Sequence, residues 1–281
     1  MNKTHYNTVQ VRTPAVAGSF YSASPAKLEQ EINEYLKQAH TQEQRTAELR
    51  VLSERRPLAL IAPHAGHIYS GPIAAYAYSL LQPFKKQIKR VVLLGPVHRV
   101  AVEGIALPTA NYFETPLGRI EVDQHACEQL AAYHNVEFND AAHAQEHSIE
   151  VQLPFLQLVL DEFKLIPIAV GDIASQALAK IILTLWDEST LILVSSDLSH
   201  YHDYFTAKEL DESTCHHICE GKALTSFQQA CGAIPINGLL AAAEQKQLHA
   251  TLLDARSSGD TAGDKSRVVG YASFAFFEGT K

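Results

Sequence analysis

The stretch LALIAPH, Leu58 to His64, is an apolar run of strand length that ends on an imidazole behind a proline, with the small pair Ala65-Gly66 directly after it. Two other runs end the same way. VVLLGPVH closes at His98, and LILVSSDLSH closes at His200 with Asp197 three residues earlier. Runs of this length, bounded by Gly, Pro, Ser or Asp, read as buried strands. In open α/β sheets the loops leave at the carboxyl ends of the strands and can converge there on a ligand. One histidine after one strand is most often a hydrogen-bonded loop residue. Three histidines and an aspartate delivered to one edge predict a site, although Asp197 would serve equally as a cap for the turn that follows it.

Working outward, strand-length runs recur at residues 104–107 and 165–170, and residues 268–277 alternate enough to close a sheet. Between the runs lie helical stretches. The first follows Ser24-Pro25, a cap-then-proline start, and puts Leu28, Ile32, Tyr35 and Leu36 on one face. Others are expected at 73–81, 149–160, 174–186 and 207–219. Strands alternating with helices predict an α/β layer architecture. No low-complexity linker or repeat interrupts the chain, so one domain is expected over 1–281.

Composition narrows the function. The 281 residues are 46% apolar and 19% charged, with 31 acidic residues against 23 basic ones and a net charge of -8. Only KKQIKR, Lys85 to Arg90, is a basic block, so a nucleic-acid partner is not expected. No run is apolar enough to span a bilayer, and MNKTHYNTVQVRTPAV lacks the layout of a secretion signal, so a cytoplasmic protein without a membrane partner is expected. Four cysteines in such a chain read as reduced thiols. Fourteen histidines, roughly twice the usual share, point to metal or acid–base work.

Four more motifs bear on the site or imitate one. Cys231 sits before Pro235 near a helix start, which biases a thiol toward thiolate, although an inert buried cysteine is the commoner case. Glu146-His147-Ser148-Ile149-Glu150 opens a helix, where His147 either orients a ligand or caps the first turn. Cys215-His216-His217-Ile218-Cys219 has metal-ligand residue types, but adjacent histidines diverge on a helix, so it reads as a decoy. GDTAGDKS, Gly259 to Ser266, is a poor phosphate loop, because the glycine needed before the lysine is Asp264. It reads instead as a turn whose Asp260, Asp264 and Lys265 brace the next strand or rim the site. His67, His125, His134, His143, His202 and His249 read as surface residues or as supports around the site.

The set AGSFY (17–21), APHAG (62–66), GPVH (95–98), EHSIEVQLPFL (146–156), SSDLSHY (195–201), the CG at Cys231 and GDKSRVVGYASFAF (263–276) resembles the Memo family, known in prokaryotes as protein B of the AmmeMemoRadiSam system. The resemblance spans nearly the whole chain. It implies a three-layer α/β/α sandwich around a central mixed sheet, like that of LigB-type class III extradiol dioxygenases. It also implies that His64 and His98 hold a metal with Cys231 where the dioxygenases use a glutamate, that His200 is the acid–base group with Asp197 beside it, and that Phe20 and Tyr69 line the cleft. Radical-SAM and AMMECR-like partner proteins follow from the same resemblance.

Two imidazoles with one thiolate can hold iron, copper or zinc, and we place iron or copper ahead of zinc. A thiolate is softer than a carboxylate and oxidises readily, which disfavours ring cleavage. The expectation is a metal-binding protein, redox-active or catalytic on an unidentified small molecule or peptide, with His147 in the catalytic set. The alternatives are a dioxygenase-like non-haem iron oxidoreductase, and a non-enzymatic peptide- or protein-binding module with a vestigial site.

Overall fold

The computed structural model describes residues 9–43 and 47–279. Its strands are β1 (Val11–Arg12), β2 (Ala59–Ala62), β3 (Arg90–Pro96), β4 (Ile105–Leu107), β5 (Tyr112–Thr115), β6 (Gly118–Glu121), β7 (Val136–Phe138), β8 (Lys164–Val170), β9 (Thr190–Ser195), β10 (His200–His202), β11 (Leu248–Ser257) and β12 (Val268–Glu278). The main sheet runs β10-β12-β2-β9-β3-β8-β4-β7, with β11 also paired to β12, while β1, β5 and β6 form a small separate sheet. The four central strands β2, β9, β3 and β8 are parallel, and β12 and β4 join them antiparallel on either side.

Those four strands are four of the apolar runs of the sequence, and the run at 104–107 is β4. They are buried on alternate residues and on the residues between, so both faces of the sheet are covered. One cover is the helix pair Pro25–Glu43 and His67–Ser79, the other the pair Ser175–Leu185 and Ala233–Gln245. The first helix buries Leu28, Ile32 and Leu36 as its spacing requires, with Tyr35 half-buried. The result is an α/β/α sandwich around a mixed sheet.

Register decides where the loops emerge. Ile61 pairs with Val194, Val194 with Leu94, and Leu94 with Ile168, so one row crosses all four strands. Ala62, Ser195 and Pro96 therefore end their strands at one edge of the sheet. His64, His98 and His200 all follow onto that edge.

Two expectations are corrected in detail. The helix expected over 149–160 is two pieces, His147–Glu150 and Leu153–Val159. Pro154 has no N–H to give to the Glu150 carbonyl, so the ladder stops there. The turn after Gly259 starts as a short helix, Ser258–Thr261, closed by reciprocal hydrogen bonds of Ser257 and Asp260. Asp260 also accepts from the Tyr204 hydroxyl at 2.7 Å, and the Lys265 amine lies 4.3 Å above the Tyr204 ring. This segment braces β11, β12 and the helix Tyr204–Cys219. Among the described residues no helix is long and apolar enough to cross a membrane.

Candidate metal centre

Ala62 and Ser195 are neighbours across β2 and β9, so the two strands release their loops side by side. The backbone N–H of His64 donates to Asp197 Oδ1 at 2.7 Å, and that of Ala65 donates to the same atom at 3.3 Å. This contact turns the chain after Pro63 and carries the His64 ring inward, where it is 1% exposed. Its Nδ1 lies 2.9 Å from Ser195 Oγ and its Nε2 lies 3.3 Å from Cys231 Sγ. Burial, with His147 and His98 alongside, pushes His64 well below the usual imidazole range, so its ring is neutral.

His98 reaches the same place from β3. A Cβ on Gly95 would fall 2.4 Å from Ser148 Oγ, so only glycine lets the helix His147–Glu150 approach this strand so closely. Ser148 Oγ donates to the Pro96 carbonyl at 2.9 Å and fixes that approach. Glu146, preceding the helix, then meets His98 twice: the backbone N–H at 2.6 Å and Nδ1 at 2.8 Å. Burial pushes the Glu146 carboxyl up, but the His98 ring and the surrounding N–H groups outweigh it and hold it down at about 2. The His147 ring completes a triangle of imidazoles, with centroids 4.7 Å from His98 and 5.4 Å from His64, and the Phe20 ring packs on it at 4.8 Å.

Cys231 arrives on the loop before Ala233–Gln245, its N–H donating to the Asp197 carbonyl at 3.3 Å. Of its two readings, thiolate and protonated thiol, burial favours the second in the metal-free chain. Burial, with the charge of Asp197 added to it, pushes the thiol up to about 12, so the metal-free side chain is a thiol rather than a thiolate. The bias of a nearby helix start is too weak to offset this push.

The ligand atoms of His64, His98 and Cys231 lie within 4.8 Å of one another, which suits a single transition-metal ion held by two imidazoles and a sulfur. His98, Glu146 and His147 form a second cluster of the same tightness, in which the carboxylate is already bound to backbone and ring N–H groups. His98 and Cys231 open onto a pocket of about 950 Å³ that His200 and His202 also line, with Phe227 and Ile234 among its apolar walls. The His200 Nδ1 donates to the Leu198 carbonyl at 2.8 Å, and Asp211 holds the same loop by accepting from Ser199 N–H at 3.0 Å.

The structure thus gathers His64, His98, Cys231, His147, His200, Asp197 and Phe20. Neither Phe20, which packs on His147, nor Tyr69, 37% exposed, is among the residues lining that pocket. Sequence reasoning missed Glu146, Ser195 and Gln152 as supports of the histidines. The motifs EHSIEVQ and SSD contain them, but nothing local shows which distant rings they face. His202 is half-buried and lines the pocket. Of the two readings for His67 and His143, the surface one is excluded: both are buried at 2%, hydrogen-bonded to the Val151 and Ala106 carbonyls. His216 pairs with Glu220 on the exposed side of its helix, which fits the decoy reading of that box.

A family model described as Memo-like protein matches residues 12–275. A MEMO1 family protein of Pyrobaculum arsenaticum is 35% identical over 283 residues, covering 95% of this chain and 99% of its own. Another, of Saccharolobus solfataricus, is 35% identical over 285 residues, covering 94% and 99%. Among solved structures, an uncharacterized protein of Escherichia coli K12 aligns with a TM-score of 0.51 at 13% identity, covering 78% of this chain and 99% of that one. At that identity the likeness concerns the fold alone.

Proposed function

The chain belongs to the Memo family, and on that premise we propose that it binds one redox-active transition-metal ion through His64, His98 and Cys231 and acts on a small organic molecule in the adjoining pocket. The observation that carries the proposal is the convergence of these three ligand atoms, two of whose residues line a cavity large enough for such a molecule. Two imidazoles and a thiolate favour iron or copper over zinc for a redox role. When bound, the ion supplies Lewis acidity and one-electron chemistry.

The protein's own residues do the rest. His200, with Nδ1 engaged by Leu198, has one nitrogen left to move a proton in the pocket. Asp197 holds the turn that aims His64. His147, backed by Phe20, is the second acid–base candidate. We read 1–281 as one domain in this role, and cooperation with radical-SAM and AMMECR-like proteins belongs to the same proposal.

The test is metal analysis after anaerobic purification of wild type, His98→Ala and Cys231→Ser. About one ion per chain in wild type and its loss from both variants is the expected result. Unchanged content in both variants overturns the ligand assignment. Oxygen uptake with a panel of catechols then separates ring cleavage from other chemistry, and a flat trace with the site loaded with iron counts against a dioxygenase.

A further inference from the structure

We propose that the segment 146–152 presets both histidines of the metal centre as Nδ1–H tautomers in the metal-free chain. Glu146 acts on His98 directly, and Ser148 and Gln152 act on His64 through Ser195. The proposal rests on the metal-binding reading above and deepens it: the segment read from sequence as a helix start is the device that makes the two rings ready to bind.

A neutral imidazole has one N–H and one lone pair, and only the lone pair binds a metal. At His98 the assignment is direct. Glu146 is a carboxylate, 1% exposed, whose Oε1 already accepts from the backbone N–H groups of His147 and Ser148 at 2.9 Å each. It has no hydrogen to give, so His98 Nδ1, 2.8 Å away, carries the proton. The Nε2 lone pair is left free, in the carboxylate–histidine arrangement that orients metal ligands elsewhere.

At His64 the assignment follows a chain of hydrogens. The Gln152 amide is oriented by the Pro63 carbonyl, 2.9 Å from Nε2, because a carbonyl demands a donor, while the Ala62 carbonyl, 3.3 Å away, already accepts from the Ser196 N–H at 2.9 Å and leaves the second amide hydrogen free for Ser195. Its Oε1 accepts from the Tyr78 hydroxyl at 2.5 Å, consistent with the same orientation. Gln152 Nε2 therefore donates to Ser195 Oγ at 2.8 Å. Ser195 gives its only hydrogen to the Ser148 carbonyl at 2.5 Å. One lone pair of Ser195 Oγ remains, and His64 Nδ1 at 2.9 Å fills it by donating. Nε2, the nitrogen 3.3 Å from Cys231 Sγ, is bare. Ser148, Gln152, Ser195 and Tyr78 are all fully buried, so solvent does not compete for these bonds.

Long-range 1H–15N NMR on the metal-free full-length chain distinguishes the two tautomers, with ring signals assigned from His64→Gln and His98→Gln. The expected result is Nδ1–H at both rings in wild type, with Ser195→Ala disturbing His64 alone and Glu146→Gln disturbing His98 alone. Titration with Co2+ against a competing chelator gives the second readout, in which each variant loses about 10- to 100-fold in affinity. Should Glu146→Gln fail to fold, the wild-type spectrum and Ser195→Ala still decide. Nε2–H at either ring of wild type, or unchanged Co2+ affinity in the variants that fold, overturns the proposal. Both rings Nδ1–H with no Co2+ uptake by wild type overturns the metal-binding reading and leaves the tautomers standing, so the two failures are separable.

Discussion

Asp197 directs its Oδ1 at the backbone N–H groups of His64 and Ala65, and this explains why a carboxylate is buried to 4% exposure at the end of β9. Burial pushes its carboxyl up, and the nearness of His200 together with the two N–H groups opposes that push. Its role is thus to aim a candidate metal ligand from the neighbouring strand. Replacing it tests this. Asp197→Ala leaves the two N–H groups without their acceptor and is expected to cost about 2 kcal/mol of stability in the metal-free protein. Asp197→Asn keeps an oxygen for both and is expected to stay within about 0.5 kcal/mol of wild type. Urea unfolding of the metal-free chain makes the comparison, and an alanine variant as stable as wild type would show that the carboxylate does not anchor the turn.

The helix His147–Glu150 is only four residues long, yet it joins three parts of the molecule. Ser148 ties it to β3, Glu146 before it holds His98, and Glu150 accepts from Arg12 of β1, from the N–H groups of Ala15 and Val16 at 2.8 and 3.0 Å, and from the Tyr21 hydroxyl at 2.5 Å. Through Glu150 the N-terminal segment that carries Phe20 is clamped beside His147. Gly95→Ala would drive a methyl into Ser148, separate the helix from β3 and cost about 1–3 kcal/mol, with a parallel loss of metal content measured in the same preparation. Arg12→Ala strips a fully buried carboxylate of its cation and is expected to cost about 3–5 kcal/mol by urea unfolding, without touching any metal ligand. If Arg12→Ala unfolds at the wild-type midpoint, the clamp is not holding the N-terminal segment.

Across the whole molecule, what could be read from the sequence was what is local or periodic. The strands β2, β3, β8 and β9 showed as apolar runs, and His64, His98 and His200 showed because each follows such a run onto one sheet edge. Glu146, Ser195 and Gln152 did not show, because their partners lie 43 to 131 residues away and only the folded register brings them together. The same holds for His67 and His143, whose burial no local pattern announces. These two rings give the fold a pH dependence whose sign can be worked out. Burial holds both at about 4, against about 6.5 in the unfolded chain, and the Nδ1 of each has no partner to receive a proton's hydrogen bond. Between pH 6.5 and 4 the unfolded chain therefore binds more protons than the folded one. Stability falls as pH falls through that window, by roughly 3 kcal/mol per ring at its lower end. Glu146, held at about 2, adds acid sensitivity only below about pH 4.5, where unfolded carboxylates begin to protonate. Urea midpoints of the metal-free chain from pH 7.5 to 4.5 should decline, and His143→Gln, whose amide can still donate to the Ala106 carbonyl, should decline less steeply. Parallel curves for the two proteins would mean that the buried His143 ring does not govern the acid limb.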